Sequence, residues 1–289
     1  MYCLPNLHLI GVRKSGTTDF SEQWMKNKQN VEFLHQDYWA AANICPIEYF
    51  RGSVMERPHV LHGHAYNGGP GTLMTNRKVL FNETHLVIAS GMQFLGYMST
   101  PATRFYIQLR NPTDRVISYL FYWQKLKQIP EYKDKPDHTF TPSFVDELLR
   151  RLMRELQHCL DTNGEVACVY TPSSEDGNLN TLITHSLYIV FLKEALRFVP
   201  QEQILLKTME EYSLNQKKVA SEVILGFFGV DIPASLFKNE LPTQVINEGP
   251  KKYVWPSTLT LLDEFFAPFN QRLSELLGDR KWMFSKSRT

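Results

Sequence analysis

Seven consecutive residues, Gly11-Val12-Arg13-Lys14-Ser15-Gly16-Thr17, put two glycines and two cations at the exit of the apolar run Leu7–Ile10. Thr18 follows, and a helix can begin there. Such a segment can hold an anion. Backbone N–H groups from Ser15 to Thr18 can point at it, and the following helix N-terminus adds roughly half a positive charge. Gly16 lets the backbone approach closely, the Thr17 and Thr18 hydroxyls add donors, and Arg13 and Lys14 add full charge. The spacing Gly11 to Gly16 is that of a nucleoside-triphosphate loop, G-x-x-x-x-G-K-[ST]. Here Thr17 takes the lysine's slot and Lys14 lies two residues before Gly16. A cation at that point stands at the mouth of the loop, beside whatever leaves a 5′ phosphate.

A second cationic group follows about 100 residues later, in Leu109-Arg110-Asn111-Pro112-Thr113-Asp114-Arg115-Val116-Ile117-Ser118. Arg110 ends a β-rich run and Ser118 falls about two turns into the helix that Pro112 can open. Chemistry on a hydroxyl would also call for a carboxylate or an imidazole within hydrogen-bond reach. Val31-Glu32-Phe33-Leu34-His35 offers a carboxylate and an imidazole just after the first helix, with Glu32 expected at the end of a short strand. Further on lie Glu83 and His85, and a glycine-basic turn, Gly249-Pro250-Lys251-Lys252.

The elements that must position these residues alternate between strand and helix. Strands are expected at Leu7–Val12, Val31–Leu34, Val79–Phe81, Arg104–Leu109 and Ile204–Lys207. Helices are expected at Thr17–Lys28, Thr113–Lys127, Phe144–Cys159, Leu182–Phe198, Gln216–Phe228 and Thr258–Leu277, the last interrupted at Pro268, with a turn over Met209–Leu214. Residues 35–78 form a loop-rich insert. The alternation predicts one domain over 1–289, a three-layer α/β/α fold on a central parallel sheet.

Composition narrows the partners. In 289 residues, 31 basic and 30 acidic side chains leave a net charge of +1, so no global field recruits nucleic acid. Apolar residues make up 43%, enough for a sizeable core. No run of 18 apolar residues occurs, and any membrane anchor would have to lie upstream of Met1. Cys159 and Cys168, nine apart across a turn-forming segment, either close a small loop in an oxidising compartment or remain free thiols. No Cys/His spacing calls for a metal.

The loop Arg13-Lys14-Ser15-Gly16-Thr17-Thr18 resembles the 5′-phosphosulfate loop of sulfotransferases that use 3′-phosphoadenosine 5′-phosphosulfate (PAPS). Arg110-Asn111-Pro112 with Arg115-Val116-Ile117-Ser118 resembles that family's 3′-phosphate motif, in the family's order. The C-terminal third, with Phe266-Ala267-Pro268-Phe269-Asn270 after the 249–252 turn, is similar to the Golgi carbohydrate branch. Within that branch the likeness is greatest to sulfotransferases that add a 6-sulfate to 4-sulfated N-acetylgalactosamine in chondroitin or dermatan sulfate.

The resemblance implies a P-loop-like fold and PAPS as donor with no metal required. It implies a glycosaminoglycan or other glycan acceptor and a place in the Golgi lumen. It assigns the 5′ phosphate to residues 13–18, the departing sulfuryl group to Lys14, and the 3′ phosphate to Arg110 and Ser118. It adds nucleotide contacts from Gly249, Lys251 and Lys252, and acceptor contacts from Glu83 and His85. It makes Glu32 the general base, with His35 as the alternative, and it pairs Cys159 with Cys168. Glu32 and His35 stand one residue further apart than in the family, and the positions after Glu83 differ. Two other readings share the opening loop: a relative that binds glycans without turnover, and a P-loop nucleotide kinase.

Overall fold

A computed structural model of the chain describes residues 7–12, 14–20, 23–24, 32–35, 78–82, 100–125, 140–170, 180–229 and 253–284. Their core is a five-stranded, all-parallel sheet in the order β2-β3-β1-β4-β5. The strands are β1 Leu7–Gly11, β2 Glu32–His35, β3 Lys78–Asn82, β4 Arg104–Leu109 and β5 Ile204–Thr208. A parallel sheet is covered on both faces, so its central strands read as continuous apolar runs. β1 and β4 show this over consecutive positions, with Leu9, Ile10 and Phe105 through Ile107 fully buried. The expected α/β fold with a central parallel sheet is the observed one.

The described chain falls into two compact units, each made of two stretches: 1–109 with 194–248, and 110–193 with 249–289. In the first unit, helix α1 (Thr17–Phe20) follows the loop after β1. The later helices α7 (Met209–Leu214) and α8 (Gln216–Ser221) run into a π-helical segment, Glu222–Phe227. Leu9, Phe20, Trp24, Tyr106, Tyr212 and Val223 belong to one buried cluster there. The expected turn over Met209–Leu214 is instead this helix α7. Thr208 accepts from the Glu211 N–H at 3.0 Å, and the Glu211 carboxylate accepts from the Thr208 N–H at 2.8 Å. That reciprocal cap satisfies two N-terminal donors and starts a helix where propensity alone reads a turn.

In the second unit, α2 (Pro112–Lys125) begins with Asn111 accepting from the Thr113 N–H at 2.9 Å. Helix α3 spans Pro142–Asn163, with Thr141 as its cap and Gly164 at φ +78 ending it. Its apolar positions 145, 148, 149, 152, 153 and 156 recur at helical spacing and are all buried. α4 (Glu165–Tyr170) follows directly.

The expected single helix over Leu182–Phe198 is two pieces, α5 (Thr181–Thr184) and α6 (Tyr188–Ala195). The buried Arg115 guanidinium donates to the Leu182 carbonyl at 3.0 Å and to the Ser186 hydroxyl at 2.8 Å. An outside donor thereby takes a carbonyl that a continuous helix would use itself. Helix α9 (Pro256–Leu277) runs unbroken through Pro268, against the expected interruption. Pro268 sits on the exposed side, where water can serve the carbonyl that lost its partner, while Phe266, Phe269 and Leu273 are buried.

Candidate active site

The loop after β1 is shaped by two left-handed residues, Lys14 at φ +70 and Gly16 at φ +81. The Ser15 N–H donates to the Val12 carbonyl at 3.2 Å, which closes the turn. The Phe20 N–H donates to the Gly16 carbonyl at 3.1 Å, so the helix begins at the second glycine. A Cβ at Gly16 would collide with the Met209 sulfur and lie 2.8 Å from the Gln108 side-chain nitrogen. Glycine is required twice there, for φ and for space.

A non-glycine residue at φ +70 is uncommon and costs roughly 1–2 kcal/mol, a cost found where function fixes the backbone. Lys14 is half-buried at this point. Ser15 is fully buried, yet its hydroxyl has no hydrogen-bond partner among the described residues. Buried hydroxyls are normally satisfied. A tight turn, a lysine and an unmet hydroxyl at the start of a helix are what an anionic oxygen group needs, so the loop fits the phosphosulfate expected of it.

β1 lies beside β4, with Gly11 opposite Gln108. The chain leaves β1 toward one edge of the sheet and leaves β4 toward β5 at the other. In open parallel sheets, ligands bind at the carboxyl ends of the strands at such a reversal of order. The loop from Val12 leaves the sheet at that carboxyl edge.

In the second unit, the Arg110 carbonyl accepts from the Tyr188 hydroxyl at 2.9 Å. Ser118 is half-buried on α2, one turn beyond Arg115. Arg115 itself is fully buried, and its guanidinium lies 5.1 Å from the Tyr119 ring centre. Arg115 thus braces the helix packing. Sequence reasoning missed Tyr188, because nothing local marks a tyrosine 78 residues away as the prop of a carbonyl.

The candidate bases fall differently from expectation. Glu32 opens β2 opposite Lys78, and His35 closes it opposite Phe81, which pairs with Leu9. Glu32 was expected at the exit of its strand, but the strand begins there. By register it lies about five residues short of Gly11, on the order of 16 Å along the sheet. His35 is the member of the pair nearer the carboxyl edge.

Arg13, Glu83, His85, Gly249, Lys251 and Lys252 lie outside the described residues. Cys159 and Cys168 are joined by a disulfide with Cα atoms 5.8 Å apart. Among the described residues, no group of three or more His, Cys, Asp or Glu could hold a metal, and no helix is long and apolar enough to cross a membrane.

No protein-family model matches the chain. Carbohydrate sulfotransferase 15 of Mus musculus and that of Homo sapiens are each 23% identical to it over 320 residues. Each alignment covers 96% of this chain and 54% of the relative, so the chain spans about half the length of the curated relatives it matches. A sulfotransferase from Alicyclobacillus acidocaldarius has the same fold, with a TM-score of 0.61, 16% identity, and coverage of 97% of this chain and 99% of that one. Over nearly its whole length the chain is similar in sequence to these carbohydrate sulfotransferases, and its fold is that of a sulfotransferase.

Proposed function

We propose that the chain transfers a sulfuryl group from PAPS to a hydroxyl of a carbohydrate. The observation that carries this is the loop after β1, where a buried, unpartnered Ser15 hydroxyl and a left-handed Lys14 meet the start of a helix. In this reading the loop holds the donor's 5′ phosphate, aided by Arg13, Thr17 and Thr18. Arg110 and Ser118 hold the 3′ phosphate, and Gly249, Lys251 and Lys252 add contacts to the nucleotide. The donor supplies an activated sulfuryl group. Lys14 neutralises charge that builds on the departing oxygen, as metal ions do in phosphoryl transfer, so no metal is required.

The proton of the attacking hydroxyl goes to a base of this chain. The register favours His35 over Glu32, because only His35 is near the carboxyl end of the sheet. Likeness to the carbohydrate branch points to a glycosaminoglycan acceptor, with the 6-hydroxyl of 4-sulfated N-acetylgalactosamine as the first site to test. Glu83 and His85 are the proposed acceptor contacts. Residence in the Golgi lumen goes with that acceptor, and the Cys159–Cys168 disulfide accords with an oxidising compartment.

Two assays test the reading. Thermal stabilisation by adenosine 3′,5′-bisphosphate, and none by ADP with magnesium, is expected; the reverse would establish a nucleotide kinase. Transfer of labelled sulfate from PAPS to chondroitin, dermatan and desulfated glycosaminoglycans is expected to be acceptor-dependent. The position of Glu32 on the amino side of the sheet favours one other reading, a donor-binding chain without turnover. Binding of the bisphosphate with no incorporation into any glycan would establish it.

A further inference from the structure

The donor loop does not stand on β1 alone. Helix α7 meets it at two points three residues apart on the chain. At one, the Met209 side chain occupies the space beside Gly16 and its sulfur accepts from the Gln108 amide at 3.2 Å. At the other, the Tyr212 hydroxyl donates to the Asp19 carboxylate at 2.8 Å. The same hydroxyl accepts from the Trp24 indole N–H at 3.0 Å, and the second Asp19 oxygen accepts from Gln23 at 2.8 Å. Asp19 is 3% exposed and Tyr212 fully buried.

A carboxylate so enclosed is costly unless it is hydrogen-bonded, and so its partners are held in one geometry. Burial and the neighbouring Asp19 charge push the Tyr212 phenol up, so it keeps the proton it donates. Gly16 and Asp19 bracket the turn whose N–H groups face the donor in the reading above. The platform under them is itself locked by the Thr208–Glu211 cap.

We propose that Asp19 and Tyr212 are positioning residues for the donor loop, with Met209 as its seat, so that α7 sets the loop's shape before any nucleotide binds. The inference rests on the donor-binding reading for its consequence and on the ligand-free fold for its cause. The two are therefore tested separately.

The experiment compares the wild-type chain, Tyr212→Phe, Asp19→Asn and Val223→Ala. Val223 belongs to the same buried cluster and is the control for general loosening. Amide hydrogen exchange of the ligand-free proteins reads the loop directly. Tyr212→Phe is expected to speed exchange over residues 15–20 at least tenfold beyond any change at β4. Val223→Ala is expected to speed exchange of its own helix without that selective effect. Asp19→Asn keeps an acceptor for the tyrosine proton and is expected to fall between wild type and Tyr212→Phe, and it serves if the latter fails to fold.

Titration with adenosine 3′,5′-bisphosphate then reads the consequence. About tenfold weaker binding in Tyr212→Phe is expected, against less than threefold in Val223→Ala. Uniform loosening in all three variants overturns the proposal, as does bisphosphate affinity that tracks melting temperature alone. A wild-type chain that does not bind the bisphosphate overturns the donor reading, while the exchange pattern still decides the positioning claim.

Discussion

Lys14 joins a left-handed backbone to the proposed role of a cation at the departing oxygen. Replacing it with glycine separates them. Lys14→Gly removes a conformational cost of roughly 1–2 kcal/mol but gains unfolded-state entropy of about half that size, so stability should hold or rise slightly. Turnover should nevertheless fall at least a hundredfold, with bisphosphate affinity within a few-fold of wild type. Melting curves and single-turnover transfer assays check both halves; unchanged turnover would remove Lys14 from the chemistry. Gly16→Ala should do the opposite, because the Cβ meets Met209 and the backbone is left-handed, so folding or donor binding is lost. For the base, His35→Ala should abolish the acidic limb of the pH–rate profile, whereas Glu32→Gln should leave it in place. A profile that follows Glu32 instead would restore the carboxylate.

At the scale of elements, the Arg110 segment depends on α2 and α6. Tyr188→Phe deletes the hydroxyl on the Arg110 carbonyl and should weaken bisphosphate binding several-fold, with a stability loss of about 1 kcal/mol. Calorimetric titration separates the two effects. β1 and β4 were legible because adjacent residues, Leu9 and Ile10 in one and Phe105 through Ile107 in the other, are apolar and buried on both faces of the sheet. The Arg110-Asn111-Pro112 stop was legible for a local reason, since Asn111 caps and Pro112 opens the helix. α7 was open to the same logic, because Thr208-Met209-Glu210-Glu211 is a capping-box sequence, and its brevity hid it. The break between α5 and α6 was not legible, because its cause is a guanidinium from 67 residues upstream. Glu32 was misplaced for a related reason: register across a parallel sheet is set by neighbouring strands, and a lone sequence does not show which end of β2 its residues occupy.

For the molecule as a whole, two ties carry predictions about stability, one short-range in the chain and one long-range. The Cys159–Cys168 bridge closes a short loop, for which chain entropy gives about 2–3 kcal/mol. Reduction should lower the melting temperature by several degrees, which calorimetry with and without reductant would show. Asp146 joins α3 to α9 through the Thr258 hydroxyl at 2.5 Å and also accepts from Arg150 at 2.7 Å. The Arg150 hydrogen bond, helped by Thr258, holds its carboxyl below the usual carboxylate range. A depressed folded pKa gives stability present above the unfolded value near 4 and lost as pH falls through the folded one. Asp146→Asn should therefore melt below wild type at pH 7, and the gap should close as the pH falls below the usual carboxylate range.

The sheet's discontinuity in chain order also matters during synthesis. β4 ends at Leu109 and its neighbour β5 begins at Ile204. A ribosome adding about 5–20 residues per second needs roughly 5–20 s to cover that interval. Throughout it, the apolar flank of β4 waits without its pairing strand, a template for association with other nascent chains. The protein should therefore depend on holding chaperones early in its life, and slower translation through residues 110–203 should lower its soluble yield.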